Sequence, residues 1–580
     1  MSQSAPPLPR RTRLANRLAA WRATLGRPTP TLVYHPEPRS IGLAARGRQL
    51  CEGVVVLAGR RVEAPGATIW DIDPPDAGFA AGMHGFGWLD DLAAAGDRTA
   101  RATAQAWLAA WIARYGRGGG PGWTPELAGR RLMRWTCHAE FLLRGQDAAA
   151  QAAVLRSLAQ QARFVAQRWR AARPGRARVE ALTGLLHAGV SLEGMAADAD
   201  AARAALAQEA PACLDATGGP PDRNPEALLE LFMLLTASAL LLSDTGRTAT
   251  DAQWRTIERI APGLRTLRHA DGGLARFHGG GRGREGRLDA ALAASGVKAR
   301  AKDGRAMGYA RLSRGRTSVI VDAAPPPGGA AGDTGHASTL AFELTSGRRP
   351  LIVNCGAGAE FGPDWRRAGR ATPSHSVLVL DGGSSARLGH DPRHPERLAE
   401  APRDVSTKLS HPPGGPSFEG AHDGYLRSHG LTHVRRLDLS ADGRTLTGED
   451  MLLALGAAQE ARFDRAFDAT RHEGVPFDIR FHLHPDVQAA ASADGAAMTL
   501  TLRSGEVWEF RGEGAEALAL NPSVYLETTR PKPRATRQIV LSGRATHHAT
   551  HIRWSLAKTA STPVGIRDVA PDAPGPETDD

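Results

Sequence analysis

The sequence predicts an α+β multidomain protein in which a helical half precedes an antiparallel β half. Three observations carry this. The 580 residues exceed what one hydrophobic core can fill, so two to four domains are expected. From about 97 to 269 the apolar residues recur with the helical period. Beyond about 316 they alternate in short runs broken by Asp-Gly and Ser-Gly turns, the pattern of hairpins in a sandwich.

Residues 1–95 read as an N-terminal extension with a mixed lead-in segment. The start, MSQSAPPLPRRTRLANRLAAWRATLG, is a Pro-rich leader followed by a short basic amphipathic helix. It lacks the uninterrupted apolar core of a secretory signal. A cytoplasmic placement is therefore the default, and a periplasmic one stays open. A β-like stretch, Gly53-Val54-Val55-Val56-Leu57, leads into Gly/Trp/Pro-rich sequence.

The helical domain is expected over 96–295. Trp107 and Trp111 lie four apart on one face, and residues 127–144 repeat the pattern with Leu132, Trp135 and Phe141 inward. Further helices fall at about 148–172, 178–195, 200–210, 225–243 and 250–269, separated by Gly/Pro turns. Helical hairpins around an axis and a solenoid fit this equally, because no strict repeat distinguishes them. After a Gly/Arg-rich bridge at 278–287, strands dominate 305–560, beginning with Arg316-Thr317-Ser318-Val319-Ile320-Val321-Asp322. The Pro- and Asp-rich residues 561–580 read as a disordered tail.

Composition narrows the function classes. A net charge of +11 comes with only five lysines, so arginine carries nearly all the positive charge. Its planar fork suits carboxylate, sulfate and phosphate, although a high-GC genome, which raises Arg, Ala, Gly and Pro together, accounts for most of the excess. Basic residues are scattered, with no finger, basic zipper or helix-turn-helix pattern, so nucleic acid is not indicated. Cys51, Cys137, Cys213 and Cys355 lie far apart, which argues against a zinc knuckle or disulfide framework. The longest apolar run, 228–242, is short for a membrane span and contains Glu230.

Eleven of the twenty histidines fall between His336 and His484. Imidazole titrates near neutrality and is the commonest metal ligand, so this concentration raises a catalytic or metal reading. For each one, a satisfied strand histidine is the alternative. Several phrases occur in a telling order. They are Met83-His84-Gly85-Phe86-Gly87-Trp88-Leu89, Asp222-Arg223-Asn224-Pro225 and Gly335-His336-Ala337-Ser338. Leu351-Ile352-Val353-Asn354-Cys355-Gly356, Arg370-Ala371-Thr372-Pro373-Ser374-His375-Ser376, His422-Asp423-Gly424-Tyr425 and Arg480-Phe481-His482-Leu483-His484-Pro485 follow. Together, over roughly 70–545, they resemble the heparinase II/III-like proteins. The resemblance implies an α/α-toroid (an incomplete helical barrel) followed by an antiparallel β-sandwich. It also implies β-elimination on an acidic, uronate-containing polysaccharide.

That chemistry needs a group to neutralise the uronate carboxylate, a base for the proton at carbon 5 and an acid for the leaving oxygen. Of five tyrosines, Tyr425 is best placed, beside His422, with a plain turn or strand tyrosine equally open; Tyr309 and Tyr525 read as core. Asn224 before Pro225 is a natural N-cap. With Arg223 it also offers an amide and a guanidinium at the positive end of a helix. The expected catalytic set is Tyr425, His422, His336, Asn224 and Arg223, with His84, Trp88 and Arg370 touching substrate. Family members with a structural metal imply His336, Asn354 and His375 as the corresponding set. Asn354 stands where an aspartate is expected, and a neutral amide is a poor zinc ligand. No cofactor is certain, and a structural zinc stays open. Thr217-Gly218-Gly219-Pro220 stands where related sequences show Asp-Gly-Gly-His, which bears on activity. A non-catalytic glycan-binding protein of the same architecture is the rival. Two-carboxylate hydrolysis through Glu140, Glu343 or Asp423 ranks last.

Overall fold

The structure is a computed structural model that describes residues 9–25, 30–40, 42–300, 304–389, 394–527, 532–560 and 562. Apart from Thr562, the tail expected over 561–580 lies outside the described residues. The chain opens with α1 (Arg10–Arg22), α2 (Ala44–Cys51), a hairpin of β1 (Val54–Leu57) and β2 (Arg60–Glu63), α3 (Ala77–His84) and α4 (Gly87–Ala95). Then come α5 (Arg98–Tyr115), α6 (Pro125–Cys137), α7 (Ala139–Leu143), α8 (Ala148–Arg168) and α9 (Arg176–Ser191). The helical half ends with α10 (Ala196–Ala212), α11 (Pro225–Asp244), α12 (Asp251–Leu267) and α13 (Arg287–Ala294).

Local chemistry starts these helices. The side chains of Asp97, Thr124, Asp147, Asn224 and Thr250 each accept a first-turn N–H, and Pro125 and Pro225 occupy the first helical position. The innermost helix is α9, buried at every residue from Val179 to Ser191 and packed against α6, α8, α10 and α11. Gly184 lets α9 approach α6: a Cβ there would fall 2.3 Å from the Gly129 carbonyl oxygen. By length and composition α11 passes as a membrane span, yet it packs against α9 and α12, and its Glu230 pairs with Arg176. Where the sequence suggested one helix over 127–144, His138 breaks it, its Nε2 lying 2.9 Å from Asp90 Oδ1. Helices α3 and α4, in the stretch read as mixed, form despite three glycines because their aromatic residues are buried.

The β half runs through β3 (Arg305–Ala306), β4 (Tyr309–Arg314), β5 (Thr317–Asp322), β6 (Phe342–Ser346) and β7 (Arg349–Val353). After α14 (Pro363–Arg370) follow β8 (Leu378–Leu380), β9 (Arg387–Leu388), β10 (Leu398–Glu400), β11 (Val405–Ser410) and β12 (Ser417–His422). After the short α15 (Leu426–His429) come β13 (Thr432–Leu439), β14 (Thr445–Leu453) and α16 (Ala457–Ala469). The last strands are β15 (Val475–Leu483), β16 (Gln488–Ala491), β17 (Ala497–Thr501), β18 (Val507–Glu513), β19 (Ala517–Tyr525), β20 (Arg534–Ala545) and β21 (Ala549–Lys558). One antiparallel sheet has the order β11-β12-β13-β14-β21-β18-β17-β16, and the other β19-β20-β15-β7-β6-β5-β4-β3, with β8 also on β15. Phe342 and Phe481 of one sheet meet Phe510 and Trp554 of the other; Phe342 stacks on Trp554 at 5.8 Å, and Phe481 lies 4.8 Å from Phe510. The α+β architecture thus follows the sequence reading, a helical half joined to an antiparallel sandwich.

The two halves are joined by a buried polar chain. Arg223, just before α11, pairs with Asp322 at the end of β5 and donates to the carbonyls of Met307, Gly308 and Pro325. Burial disfavours a charged Asp322, but Arg223 and His278 hold it well below the usual carboxylate range. The Tyr309 hydroxyl donates to the Arg223 carbonyl at 2.7 Å. Arg223 has φ +52°, a left-handed conformation that costs roughly 1–2 kcal/mol for a non-glycine residue.

Two tests follow. Asp322→Asn leaves a buried guanidinium without its counter-charge and should lower stability by about 3–5 kcal/mol, read as a lower urea midpoint; an unchanged midpoint would remove the latch. The second concerns acid. Burial holds the imidazoles of His84 and His375 down to about 3 and those of His187 and His482 to about 4. These groups stay neutral in the folded chain while the unfolded chain protonates them near 6.5. Their contribution is complete above that pH and is lost as pH falls toward 4. Glu360, pushed up to about 8 by burial, offsets one proton. Unfolding near pH 5 should therefore take up at least roughly three protons, measured as the slope of unfolding free energy against pH.

Candidate functional site

A cavity of about 690 Å³ opens where the helical half meets the sandwich. Its helical wall comes from α4, α6, α9 and α11, and its rim from the Gly/Arg-rich bridge at 278–287. The sandwich contributes residues 357, 360 and 525–527, and the β1–β2 turn reaches across from the other side. There Gly59, at φ +75°, lies so close to Glu360 that a Cβ would fall 2.3 Å from its Cβ. The bridge is pinned to the start of α11. Glu226 accepts from the Gly281 N–H at 2.8 Å, and Asn224 Oδ1 presses against Gly280.

Charge distribution divides the lining. On α6, Arg130 and Arg134 are already paired, with Glu180 at 2.9 Å and Asp90 at 3.2 Å. Arg276 is different. It is 6% exposed, its Nη2 donates to the carbonyls of Cys355 and Leu526, and its guanidinium lies 4.0 Å over the Tyr525 ring. Its Nη1 has no partner among the described residues. Gly356, at φ +98°, makes room for it, because a Cβ there would sit 2.0 Å from Nη2. Glu343 fixes the backbone by accepting from the Arg276 N–H at 3.0 Å. Arg46 and Arg287 also border the cavity and form no salt bridge among the described residues. Burial lowers the Arg287 pKa. Burial raises the Tyr525 phenol, and it keeps His187 neutral by pushing it down to about 4.

Of the residues singled out from the sequence, only Trp88 borders this cavity. The Tyr425 hydroxyl is buried and donates to the Leu378 carbonyl at 3.1 Å. His422 accepts from the Gly424 N–H through Nδ1, so its Nε2–H donates to His433 Nδ1, whose Nε2–H reaches Asp450 at 2.8 Å. Arg370 is buried with its fork on the carbonyls of Gly335 and Gly332. His84 packs between Trp70 and Tyr115 and accepts from Trp111 Nε1 at 3.2 Å. Arg223 and Asn224 form the latch and the N-cap already described. The structure therefore does not gather Tyr425, His336 and Asn224 around one open cleft.

His336 and His375 do meet, at 3.1 Å, but as a hydrogen-bonded pair. His375 Nδ1–H donates to the Ala371 carbonyl, so its Nε2 accepts from His336 Nδ1–H. The expected third ligand, Asn354, uses Oδ1 to accept from the Ser376 N–H. Among the described residues no group of three His, Cys, Asp or Glu is placed to hold a metal ion. The His336, Asn354 and His375 set thus does not fit zinc, because both His375 nitrogens are engaged and the Asn354 carbonyl oxygen is held by a backbone N–H. At Thr217-Gly218-Gly219-Pro220, Asp215 braces the turn by accepting from the Thr217 and Gly219 N–H groups.

Sequence reasoning missed the arginine wall. Its one signal was the bridge at 278–287, read only as a connection, and Tyr525 was read as core.

Comparison with known proteins agrees with this architecture. Residues 296–555 match the family described as "Heparinase II/III-like, C-terminal". FtsZ-localized protein C of Caulobacter vibrioides (strain NA1000 / CB15N) is 31% identical over 547 residues, covering 92% of this chain and 91% of that protein. A crystal structure of heparinase III superposes with a TM-score of 0.65 at 12% identity, covering 94% of this chain and 89% of that one. A mutant of the heparan sulfate lyase HepC from Pedobacter heparinus gives 0.57 at 13% identity, covering 94% and 87%. The two structural likenesses are likenesses of fold, and the long curated match extends the kinship across both halves. The chain belongs to the heparinase II/III-like family.

Proposed function

We propose that the cavity binds an acidic saccharide and that the protein acts on, or through, a uronate- or sulfate-bearing glycan. Arg276 carries this reading. It lines the cavity without a carboxylate in salt-bridge contact among the described residues, so an anionic group bound beside it would supply the missing counter-charge. Carboxylates and sulfates match its fork. Arg287 and Arg46 extend the same chemistry along the rim.

β-Elimination is the reading for the activity, with a different residue set from the one the sequence suggested. Arg276 would neutralise the uronate carboxylate, and Tyr525, whose ring lies under the Arg276 guanidinium and which lines the cavity, is the candidate proton-transfer group. The step moves the carbon 5 proton to the base. The bond from carbon 4 to the leaving oxygen breaks, a double bond forms between carbons 4 and 5, and the leaving oxygen takes a proton back from the protonated base. Pure binding is the rival, favoured by the burial of Tyr425, His422 and His375 away from the cavity. The Caulobacter relative is named for its localisation with FtsZ, and a similar placement for this chain is part of the proposal.

Heparin-like, chondroitin-like, alginate and bacterial acidic polysaccharides form the test panel. Arg287→Gln, at a half-buried residue without a salt bridge, should weaken binding about tenfold, the loss of one charge-assisted contact. Failure of the folded protein to bind any of them would remove the proposal. With a bound glycan, new ultraviolet absorbance from an unsaturated uronate marks elimination. Tyr525→Phe should abolish that signal while leaving affinity within a few-fold; binding without absorbance leaves the protein a binder.

A further inference from the structure

Helix α1 takes no part in the cavity, and its two faces are of opposite kinds. Asn16, Ala19, Ala20 and Ala23 are buried on α8. There Gln160 donates to the Ala20 carbonyl at 3.1 Å, Arg163 to the Ala23 carbonyl at 2.9 Å, and Arg168 to Asn16 Oδ1 at 2.9 Å. The opposite face is apolar and open. Leu14, Leu18 and Trp21, with Leu25 in the turn that follows, are 67%, 46%, 52% and 57% exposed. At a helical period of about 100° per residue their spacing confines them to an arc of roughly 60°. Scattered surface leucines are ordinary, but a tryptophan and three leucines in one stripe mark an interaction surface.

From this stripe we infer that α1 docks the protein on an anionic lipid surface. Charge chooses the occupant. Exposed Arg10 and Arg17 border one side of the stripe and Arg11 and Arg22 the other, and neither α1 nor α8 contains an acidic residue. An interfacial helix lays its apolar face among the acyl chains while flanking arginines reach up to headgroup phosphates. Each basic side chain near an anionic leaflet adds roughly 1 kcal/mol of attraction. A second copy of the same face would bring like charges together, which disfavours a dimer through α1. Because α1 is held by its alanine face, the membrane-facing residues carry no packing duty.

Co-sedimentation of the full chain with vesicles tests the inference. Vesicles of phosphatidylcholine with about one-third phosphatidylglycerol should pellet the protein, and phosphatidylcholine alone should do so weakly. Adding salt should release it. Leu18→Glu with Trp21→Glu should lower partitioning at least tenfold, and Arg11→Gln with Arg17→Gln several-fold. The melting temperature should not move for either, since all four side chains are exposed. Protein left in the supernatant with anionic vesicles overturns the inference. Equal binding by the double variant Leu18→Glu, Trp21→Glu also overturns it, and would assign the attraction to the cavity arginines. A dimer dissolved by those same substitutions, without vesicle binding, overturns it by assigning the stripe to a second copy.

Discussion

The Arg223–Asp322 contact is the constraint on which the rest of the junction depends. One guanidinium from the helical half satisfies a buried carboxylate and four backbone carbonyls of the sandwich. That fixes the start of α11. The start of α11 in turn holds the Gly/Arg-rich bridge through Asn224 and Glu226. The bridge forms the rim of the cavity, so the cavity's geometry follows from an ion pair that does not border it. Such a pair costs desolvation of both partners, and it is favourable only because almost every donor of the fork is used.

The same accounting explains which charges are available to a ligand. A paired arginine such as Arg130 offers little, since an incoming anion would have to compete with Glu180 at 2.9 Å. Arg276 has carbonyl partners and an aromatic face but no carboxylate in salt-bridge contact among the described residues. Neutral partners leave its charge uncancelled, and burial makes that charge act through a poor dielectric. Arg276 is thus a cavity-lining cation held in place by uncharged groups.

Much of the fold was legible in the sequence, because it rests on periodicity and turn chemistry. Strand β5, at Thr317–Asp322, lies within one residue of the run 316–322 that suggested it. Helix breaks depend on tertiary contacts, and so the break at His138, which Asp90 holds, was not legible. The histidine phrases marked family membership, and their histidines do not line the cavity. His336 and His375 sit in distinctive phrases yet are spent on each other, and His422 on His433. A phrase records that a position is constrained without saying whether packing or chemistry constrains it. Arg276 and Tyr525 lie 249 residues apart in sequence, and no local pattern could announce their stacking.

Proton transfer sharpens the distinction. A general base must present a lone pair to the substrate, and the tautomers here leave few free. His375 Nε2 accepts from His336 and His433 Nδ1 from His422, while His422 Nδ1 takes the Gly424 N–H. Burial, moreover, pushes the pKa of His375, His422 and His433 down, which favours their neutral forms. Elimination chemistry would therefore fall to groups on the cavity wall, where Tyr525 lies against Arg276. A phenol raised by burial becomes a usable base only when a cation stabilises the phenolate, and that guanidinium is also the group best suited to the uronate carboxylate. Binding and catalysis would then draw on one cation, and occupancy by substrate would itself set the basicity of the neighbouring tyrosine.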